Sequence, residues 1–195
     1  MEQNFSGIRF YPKKLAEALD DTVWHHDSVM FRMAESILAC EAKVFVCGNG
    51  GSAAIANHFS CDYLKGVVEN SNLKSIRAIS LSSNIPLITA IGNDLGYDEV
   101  FAYQYKQLSD HEYDILIVIS SSGNSPNIVK VVKEALSQGK RVFGIVGFDG
   151  GIVKQLCKPT HTIHIRSNNY GIVEDCSQAI MHMVAQQIIL WNQES

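Results

Sequence analysis

The chain has 195 residues, of which 46% are hydrophobic and 18% charged, and its net charge is −4 at pH 7. These values are typical of a folded globular protein and exclude a disordered chain. The negative charge gives no reason to expect nucleic acid or an anionic membrane as the main partner, and the longest apolar runs are too short to span a bilayer. We expect a single domain with a substantial core.

The cysteine pattern indicates a reducing compartment. The odd number of cysteines, five, and the absence of a Cys-x-x-Cys pair argue against a disulfide framework. The polar stretch from Met1 to Tyr11 lacks the apolar segment of a secretory signal. Reduced thiols in the cytoplasm are therefore expected. The five thiols are Cys40, Cys47, Cys61, Cys157 and Cys176.

The chain opens with a predicted helical segment, at about residues 12–41. Residues 1–11 resemble a loose lead-in, and Pro12 suits the first turn of a helix. The apolar residues that follow at helical spacing are Leu15, Leu19 and Val23. A second helical stretch is predicted over roughly 28–41, and a kink near His25-His26 is one interpretation of the break between the two.

From residue 43 to about residue 192, short apolar runs of β type alternate with helical runs. The predicted strands cover 43–47, 75–81, 114–120, 141–147 and 161–165. The predicted helices cover 52–65, 84–93, 98–108, 125–138, 150–156 and 172–192. Strands that alternate with helices predict a parallel sheet covered on both faces. The fold class is therefore α/β: a doubly wound, three-layer αβα sandwich with a five-stranded parallel sheet.

The first predicted strand runs into a glycine cluster, which a helical pattern of small residues follows. The turn reads Gly48-Asn49-Gly50-Gly51-Ser52. A strand that enters a tight turn and a helix N-terminus forms an anion site, because free N–H groups and the positive end of the helix dipole point at the ligand. The glycines allow a close approach of the backbone, and Ser52 can cap the helix or bind the anion.

A second turn between a strand and a helix has the same character. It reads Ser120-Ser121-Ser122-Gly123-Asn124-Ser125-Pro126 and follows the most hydrophobic predicted strand. Such a turn can cradle a phosphate, but it can equally be an ordinary serine-rich turn that caps a helix. Two such turns, without a Gly-Lys-Ser/Thr motif of a nucleotide-binding loop nearby, favour a small phosphorylated ligand.

Two histidines and two carboxylates suggest a metal site. His58 and Asp62 are four residues apart and share one helix face. With Glu174 and His182 they offer two nitrogens and two oxygens, which suit zinc or another divalent transition metal. Glu174 and His182 lie about 12 Å apart along an ideal helix, so one ion reaches both only through stretched side chains, a non-helical start near residue 174, or two subunits. The simpler alternatives are a hydrogen bond between His58 and Asp62 and a core-facing His182.

Five motifs follow one another in a fixed order along the chain. They are Gly48-Asn49-Gly50-Gly51-Ser52-Ala53-Ala54, His58-Phe59, Ile91-Gly92-Asn93-Asp94, Ser120-Ser121-Ser122-Gly123-Asn124-Ser125 and Gly147-Phe148-Asp149-Gly150-Gly151. In order and spacing they resemble the sugar isomerase (SIS) domain family, and within it the phosphoheptose isomerases, which convert sedoheptulose 7-phosphate to D-glycero-D-manno-heptose 7-phosphate. The resemblance extends from about residue 12 to residue 190.

The resemblance implies a homotetramer with active sites between subunits, and some members of the family contain zinc. Its catalytic residues fall on Asp62 and His182. We expect one zinc ion per subunit, held by His58, Asp62, Glu174 and His182. The residues expected to bind the sugar phosphate are Asn49, Gly50, Gly51, Ser52, Asp94, Ser120, Ser121, Ser122, Ser125 and Glu174.

The chain departs from the family pattern around its last helix. Asp62 stands where the family has glutamate, which withdraws the carboxylate by one methylene group, and Glu174 stands where it has glutamine, which adds a charge. Gly171 and Ile172 replace two polar residues of the usual Asp-Arg-Ile-Gln-Glu segment.

The expected reaction needs a base that removes a proton next to the carbonyl and an acid that stabilises the enediolate oxygen. Asp62 is the expected base and His182 the proton donor, for the synthesis of surface polysaccharide precursors. Tight metal binding would weaken Asp62 as a base. Two alternatives stay open: a non-catalytic SIS tetramer that binds a protein partner, and an isomerase or lyase that acts on another sugar phosphate.

Overall fold

The computed structural model describes residues 6–39, 43–71 and 76–193. The strands are β1 (Lys43–Gly48), β2 (Arg77–Ser80), β3 (Ile115–Ser120), β4 (Arg141–Val146) and β5 (Thr162–His164). The helices are α1 (Ser6–Leu38), α2 (Gly51–Cys61), α3 (Val67–Glu69), α4 (Ile85–Asp94), α5 (Val100–Leu108), α6 (Pro126–Ser137), α7 (Gly151–Leu156) and α8 (Tyr170–Gln193). A π-helical turn, Asp62–Gly66, joins α2 to α3.

The strands form one parallel sheet in the order β2-β1-β3-β4-β5. This confirms the predicted five-stranded doubly wound fold. The central strand β3 is buried along its whole length, as expected for a parallel strand covered on both faces.

Two apolar cores, one on each face of the sheet, form the three layers. Alternate strand residues such as Val46 and Ile117 pack against α1, α2 and α8. The residues between them, such as Cys47 and Val118, pack against α4, α5, α6 and α7. No helix in the described part of the chain combines the length and the apolar character that a membrane crossing requires.

The prediction for the N-terminal segment was wrong in two respects. Residues 6–11 belong to α1, and this single helix of 33 residues continues through His25 and His26 where a break was expected. Pro12 lies inside the helix and not in its first turn. Pro12 has no N–H, so the carbonyl group of Ile8, four residues earlier, has no helical hydrogen-bond donor. Both residues are exposed, and water can therefore solvate this carbonyl group. The predicted end of this segment, residues 40–41, falls outside the described residues.

Candidate functional site

The site lies at the carboxyl ends of β1 and β3, which are neighbours in the sheet. The chain leaves β1 towards α2 on one face and leaves β3 towards α6 on the other. The two turns therefore diverge and open a crevice, the position at which open parallel sheets bind ligands. Both turns that the sequence predicted as anion sites thus lie side by side.

The turn after β1 directs the start of α2 at this crevice. Gly50, with a φ of 54°, precedes the helix, and Gly51 is its first residue. Within the described chain, no side chain caps this end of α2, so that its first N–H groups and its dipole can act on an anion. Ser52 lies in the first turn, 4% exposed, and lines the crevice.

The turn after β3 is held in shape by the turn after β4. Gly123 has a φ of 64°, and any side chain there would collide with the carbonyl group of Gly150. The N–H of Gly123 donates to the carbonyl oxygen of Ser120 at 3.1 Å, and the N–H of Gly147 donates to that of Ser121 at 3.0 Å. The Asp149-Gly150-Gly151 segment therefore supports the serine turn.

A cavity of about 130 Å³ lies between the first two turns. Seven residues predicted to bind the sugar phosphate line it: Asn49, Ser52, Ser120, Ser121, Ser122, Ser125 and Glu174. Tyr170, at the start of α8, lines it as well and was not predicted. Asp94 does not line it; this side chain is exposed at the end of α4, where it accepts a hydrogen bond from Asn93 at 2.7 Å.

The side chain of Asn49 is fixed by residues that the sequence did not single out. Asn49 and Asn127 exchange two amide hydrogen bonds, each 2.9 Å long. The Tyr97 hydroxyl donates to Asn49 Oδ1 at 3.1 Å, and Asn127 Oδ1 also accepts the N–H of Ile128 at 2.9 Å. Asn127 is 2% exposed. This network ties the pocket to α6 and to the loop between α4 and α5.

Three of the four predicted metal ligands converge on one another. Asp62 Oδ2 lies 3.1 Å from His58 Nε2 and 3.3 Å from His182 Nε2, and the two Nε2 atoms are 3.4 Å apart. Ligand atoms at about 2.0 Å from a tetrahedral zinc ion are separated by about 3.3 Å. The three atoms therefore fit one face of a zinc tetrahedron. They are also partly exposed, which leaves room for a substrate.

The carboxylate of this cluster is carried by the π turn. The N–H of Val67 donates to the carbonyl oxygen of Asp62, five residues earlier, and such widened turns are frequent at functional sites. Tyr63 is 1% exposed and donates its hydroxyl to the carbonyl oxygen of Met181 at 3.2 Å. Burial raises the pKa of Tyr63 well above 10.0, so that this hydroxyl stays a donor. The bond holds the π turn against α8 beside His182.

Glu174, the fourth predicted ligand, lies apart from this cluster. Its carboxylate covers the Cα of Gly51, where any side chain would overlap with it. Two helical turns further along, His182 on α8 meets His58 on α2, with ring centroids 5.2 Å apart. Because α2 and α8 run side by side in the same direction, Glu174 reaches the start of α2 and His182 reaches its end.

A residue that the sequence did not single out does reach the cluster. The side-chain amide of Gln178 lies 2.9 Å from His182 Nε2. The sequence feature that could have identified Gln178 is its position four residues before His182, which places both side chains on one face of α8.

The two buried cysteines near the site, Cys47 and Cys176, are packing residues. Burial and the nearby charge of Asp175 raise the pKa of Cys176 to about 11, and burial raises that of Cys47 further. Both are therefore protonated at neutral pH and are not nucleophiles. Cys61 is exposed next to Asp62, and Cys40 falls outside the described residues.

The family model of the SIS domain matches residues 11–147. The chain is 39% identical over 147 residues to the phosphoheptose isomerase of Colwellia psychrerythraea, with 75% of this chain and 74% of that protein covered. It is 40% identical over 144 residues to that of Helicobacter pylori, with 74% and 71% covered. A solved phosphoheptose isomerase from Francisella tularensis superposes with a TM-score of 0.84 at 28% identity, over 95% of this chain and 98% of that one. The residues that the family model matches include both turns of the pocket and end before α8.

Proposed function

Because the chain belongs to the SIS domain family, and within it to the phosphoheptose isomerases, we propose that it interconverts sedoheptulose 7-phosphate and D-glycero-D-manno-heptose 7-phosphate. This aldose–ketose isomerisation would supply precursors of surface polysaccharides in the cytoplasm. The free thiols of the described cysteines agree with that location.

The observation that carries the proposal is the distance between the anion pocket and the histidine cluster. Gly51 and His58 are separated by seven residues, or about 10 Å along α2. With C–C bonds of about 1.5 Å, an extended seven-carbon chain spans about 10 Å from its phosphorus atom to C1. A phosphate at the start of α2 therefore brings C1 and C2 to the cluster. A three-carbon sugar phosphate is too short to reach both.

The cluster provides the two groups that an isomerase needs. Asp62 removes the proton from C1 of the ketose while His182 gives a proton to the oxygen on C2, which yields an enediol. Asp62 then returns the proton to C2 while the oxygen on C1 gives its proton to His182, which yields the aldose and restores both side chains. Side chains that are held beside the reacting carbons contribute about 10²- to 10⁴-fold each to such a step.

The spacing of the three ligand atoms fits a zinc ion, which His58, Asp62 and His182 would hold. When bound, the ion polarises the carbonyl and hydroxyl oxygens of the substrate. Metal binding competes with proton transfer at both catalytic residues, because a ligated carboxylate is a weaker base and the Nε2 atom of His182 carries no proton while it binds the ion.

We also infer a homotetramer with active sites between its subunits. Large apolar side chains are exposed on α1 and α8, among them Trp24 at 83%, Phe31 at 45% and Leu190 at 50%. Exposed apolar surface of this size on long helices favours burial against further copies of the chain. Asp94, which lies outside the pocket of its own chain, is then free to bind substrate at a neighbouring one.

The test combines metal analysis with a turnover assay on sedoheptulose 7-phosphate. We expect about one zinc per chain after purification without chelators, and a loss of at least about 100-fold in kcat for His182→Ala. His111→Ala, which removes an exposed imidazole from the loop before β3, is the matched control. Metal without turnover would redirect the proposal to other sugar phosphates, assayed as a panel. If neither is found, a binding module for a protein partner becomes the better explanation.

A further inference from the structure

Phe148, in the turn after β4, has a backbone conformation that otherwise only glycines adopt among the described residues. Its φ is 48°, and the other positive φ angles of the described chain belong to glycines. For a bulky side chain this left-handed conformation costs free energy, so that the surrounding structure has to hold it. Residues held in this way cluster at ligand-binding and active sites. The contacts of Phe148 show what its conformation supports.

Both backbone groups of Phe148 are bound by β5 and the loop that follows it. The N–H of Phe148 donates to the carbonyl oxygen of Ser167 at 3.0 Å. On the other side, His164 Nε2 lies 2.9 Å from the carbonyl oxygen of Phe148, and Lys154 Nζ lies 3.1 Å from His164 Nδ1. A lysine ammonium group can only donate, so Nδ1 is the acceptor and Nε2 carries the proton that it donates to Phe148. These bonds fix the turn after β4 against the segment that leads to α8.

The ring of Phe148 packs against Tyr170, the first residue of α8. The ring centroids are 4.7 Å apart and the ring planes are inclined by 87°, the edge-to-face arrangement that aromatic pairs prefer. Phe148 is half-buried, whereas Tyr170 is 61% exposed. Exposed side chains change rotamer within nanoseconds unless a neighbour restrains them. The contact with Phe148 therefore restricts Tyr170 to the position in which it lines the pocket.

Tyr170 lies in a pocket that has to bind an anion through neutral donors. The described residues that line it include serines and an asparagine but no lysine or arginine, and Tyr170 provides its one aromatic ring. Hydrogen bonds to an anion are stronger where water is excluded. A phenol ring at the edge of a cavity of about 130 Å³ keeps water from its donors.

We propose that the ring of Tyr170 is the wall that shields the phosphate group from water, and that Phe148 is the positioning residue for this wall. The inference rests on the proposed function, since it assigns the pocket to the phosphate group of the substrate. The reacting carbons lie about 10 Å away, at the other end of α2. The wall therefore binds the substrate and the transition state equally, so that its loss raises KM and leaves kcat unchanged.

The experiment combines isothermal titration with inorganic phosphate and steady-state kinetics on sedoheptulose 7-phosphate. We expect Tyr170→Ala to weaken phosphate binding and to raise KM by about tenfold each, with kcat within about twofold of wild type. Tyr170→Phe keeps the ring and should stay within about twofold of wild type in all three quantities. Tyr103→Ala, which removes an exposed tyrosine from α5, is the control and should change none of them.

A double variant tests the role of Phe148. We expect Phe148→Ala to raise KM by about threefold at unchanged kcat, and to add nothing in combination with Tyr170→Ala, because Phe148 acts through Tyr170. Phe148→Tyr keeps the ring and should behave as wild type. Circular dichroism of each variant identifies any that fails to fold, and the two variants that keep the rings then decide.

The outcomes separate this inference from the function on which it rests. Phosphate binding by Tyr170→Phe that is as weak as that by Tyr170→Ala would overturn the inference, because the hydroxyl and not the ring would then act. Additive effects in the double variant would overturn the role of Phe148, and normal KM values in all variants would overturn the wall while the isomerase remains. If wild type binds phosphate but does not turn over the heptose phosphate, the proposed substrate fails and the titration still decides on the wall.

Discussion

Glu174 places a negative charge in the pocket that we expect to bind a phosphate. Its carboxylate lies over Gly51, at the first residue of α2, where the N–H groups and the helix dipole favour an anion. The carboxylate and the phosphate compete for the same positive end of the helix. We predict that Glu174→Gln strengthens the binding of inorganic phosphate about tenfold, because a like charge a few ångströms away is removed.

Isothermal titration with inorganic phosphate measures this effect separately from any contact between Glu174 and a sugar hydroxyl. The gain should shrink in 0.5 M salt, which screens partly exposed charges. Glu17→Gln, which removes a charge from the exposed face of α1, is the control and should leave the affinity unchanged. Weaker phosphate binding by Glu174→Gln would contradict the prediction.

Asn127 is a buried residue that holds the side chain of Asn49 in place at the pocket. It is 2% exposed and exchanges two hydrogen bonds with Asn49. We predict that Asn127→Ala lowers the free energy of unfolding by about 1 to 3 kcal/mol, since it leaves buried partners unsatisfied. It should also raise KM for the sugar phosphate, because Asn49 loses its fixed orientation.

Urea denaturation of the apo protein measures the stability change, and steady-state kinetics measures KM. Asn168→Ala, at an exposed position in the loop before α8, should change stability by less than about 0.5 kcal/mol. An Asn127→Ala variant as stable as this control would show that Asn49 finds other partners.

The residues that local turn chemistry predicts to bind the sugar phosphate lie around one cavity. Asn49, Ser52 and the serines that end β3 and follow it line this cavity, because a glycine or serine turn that leads into a helix has the same geometry in many proteins. The sequence did not identify Asn127 and Tyr97, because both contact Asn49, which is distant from them in sequence. It did not identify Gln178 either, which lies one helical turn before His182. Helical spacing does connect Gln178 to His182, but it does not show that His182 meets Asp62.

Among the elements, the π turn is the least predictable and lies at the centre of the site. Residues 62–66 continue the helical pattern of α2, so the sequence predicts one helix over 52–65. The widened turn begins at Asp62, and the Tyr63 hydroxyl bonds to Met181 on α8. Tertiary packing, and not a local preference, selects this turn. Tertiary packing also stabilises α1 as one continuous helix, since Met33 and Ile37, at most 1% exposed, anchor it to the core.

Gly66, in the π turn, and Gly139, in the turn after α6, form a matched pair that tests how backbone angles affect stability. A side chain at either position would meet open space. Gly66 has the helical angles φ −60° and ψ −48°, whereas Gly139 has a φ of +70°. We predict that Gly66→Ala raises the free energy of unfolding by about 0.5 to 1 kcal/mol and that Gly139→Ala lowers it by about 1 kcal/mol or more.

Urea denaturation of the two variants side by side measures the difference, and each variant controls for the added methyl group of the other. A loss of stability in Gly66→Ala would show that the π turn requires glycine for a reason other than its backbone angles.

At the scale of the whole molecule, the sequence predicts the number and direction of the strands but not their order. Alternating apolar runs and helices require a parallel sheet, and residues such as Val118 and Phe45 are buried as expected. The order β2-β1-β3-β4-β5 arises from the packing of connections that lie far apart in sequence. This order makes β1 and β3 neighbours, so that two separate turns become one pocket.

The stability of the whole molecule should depend on pH through two histidines outside the site. Partial burial lowers the pKa of His26, and the charges of His164, His25 and Arg166 lower it further while that of Asp21 opposes them. The pKa of His161 is lowered by burial and by Arg141, Arg32 and Lys158. The ring of His161 packs on Phe143, with centroids 4.8 Å apart.

For a base with a lowered pKa, the unfolded chain binds more protons than the folded one between the folded pKa and the ordinary value of 6.5. Acidification therefore favours unfolding: the contribution of each histidine is present above pH 6.5 and is lost as the pH falls towards its folded pKa. We predict that the free energy of unfolding decreases from pH 7.5 to pH 5.5, and that His26→Gln combined with His161→Gln reduces this decrease. The measurement is urea denaturation across this range, with a chelator present so that loss of metal does not contribute. An equally steep profile in the double variant would assign the pH dependence to other groups.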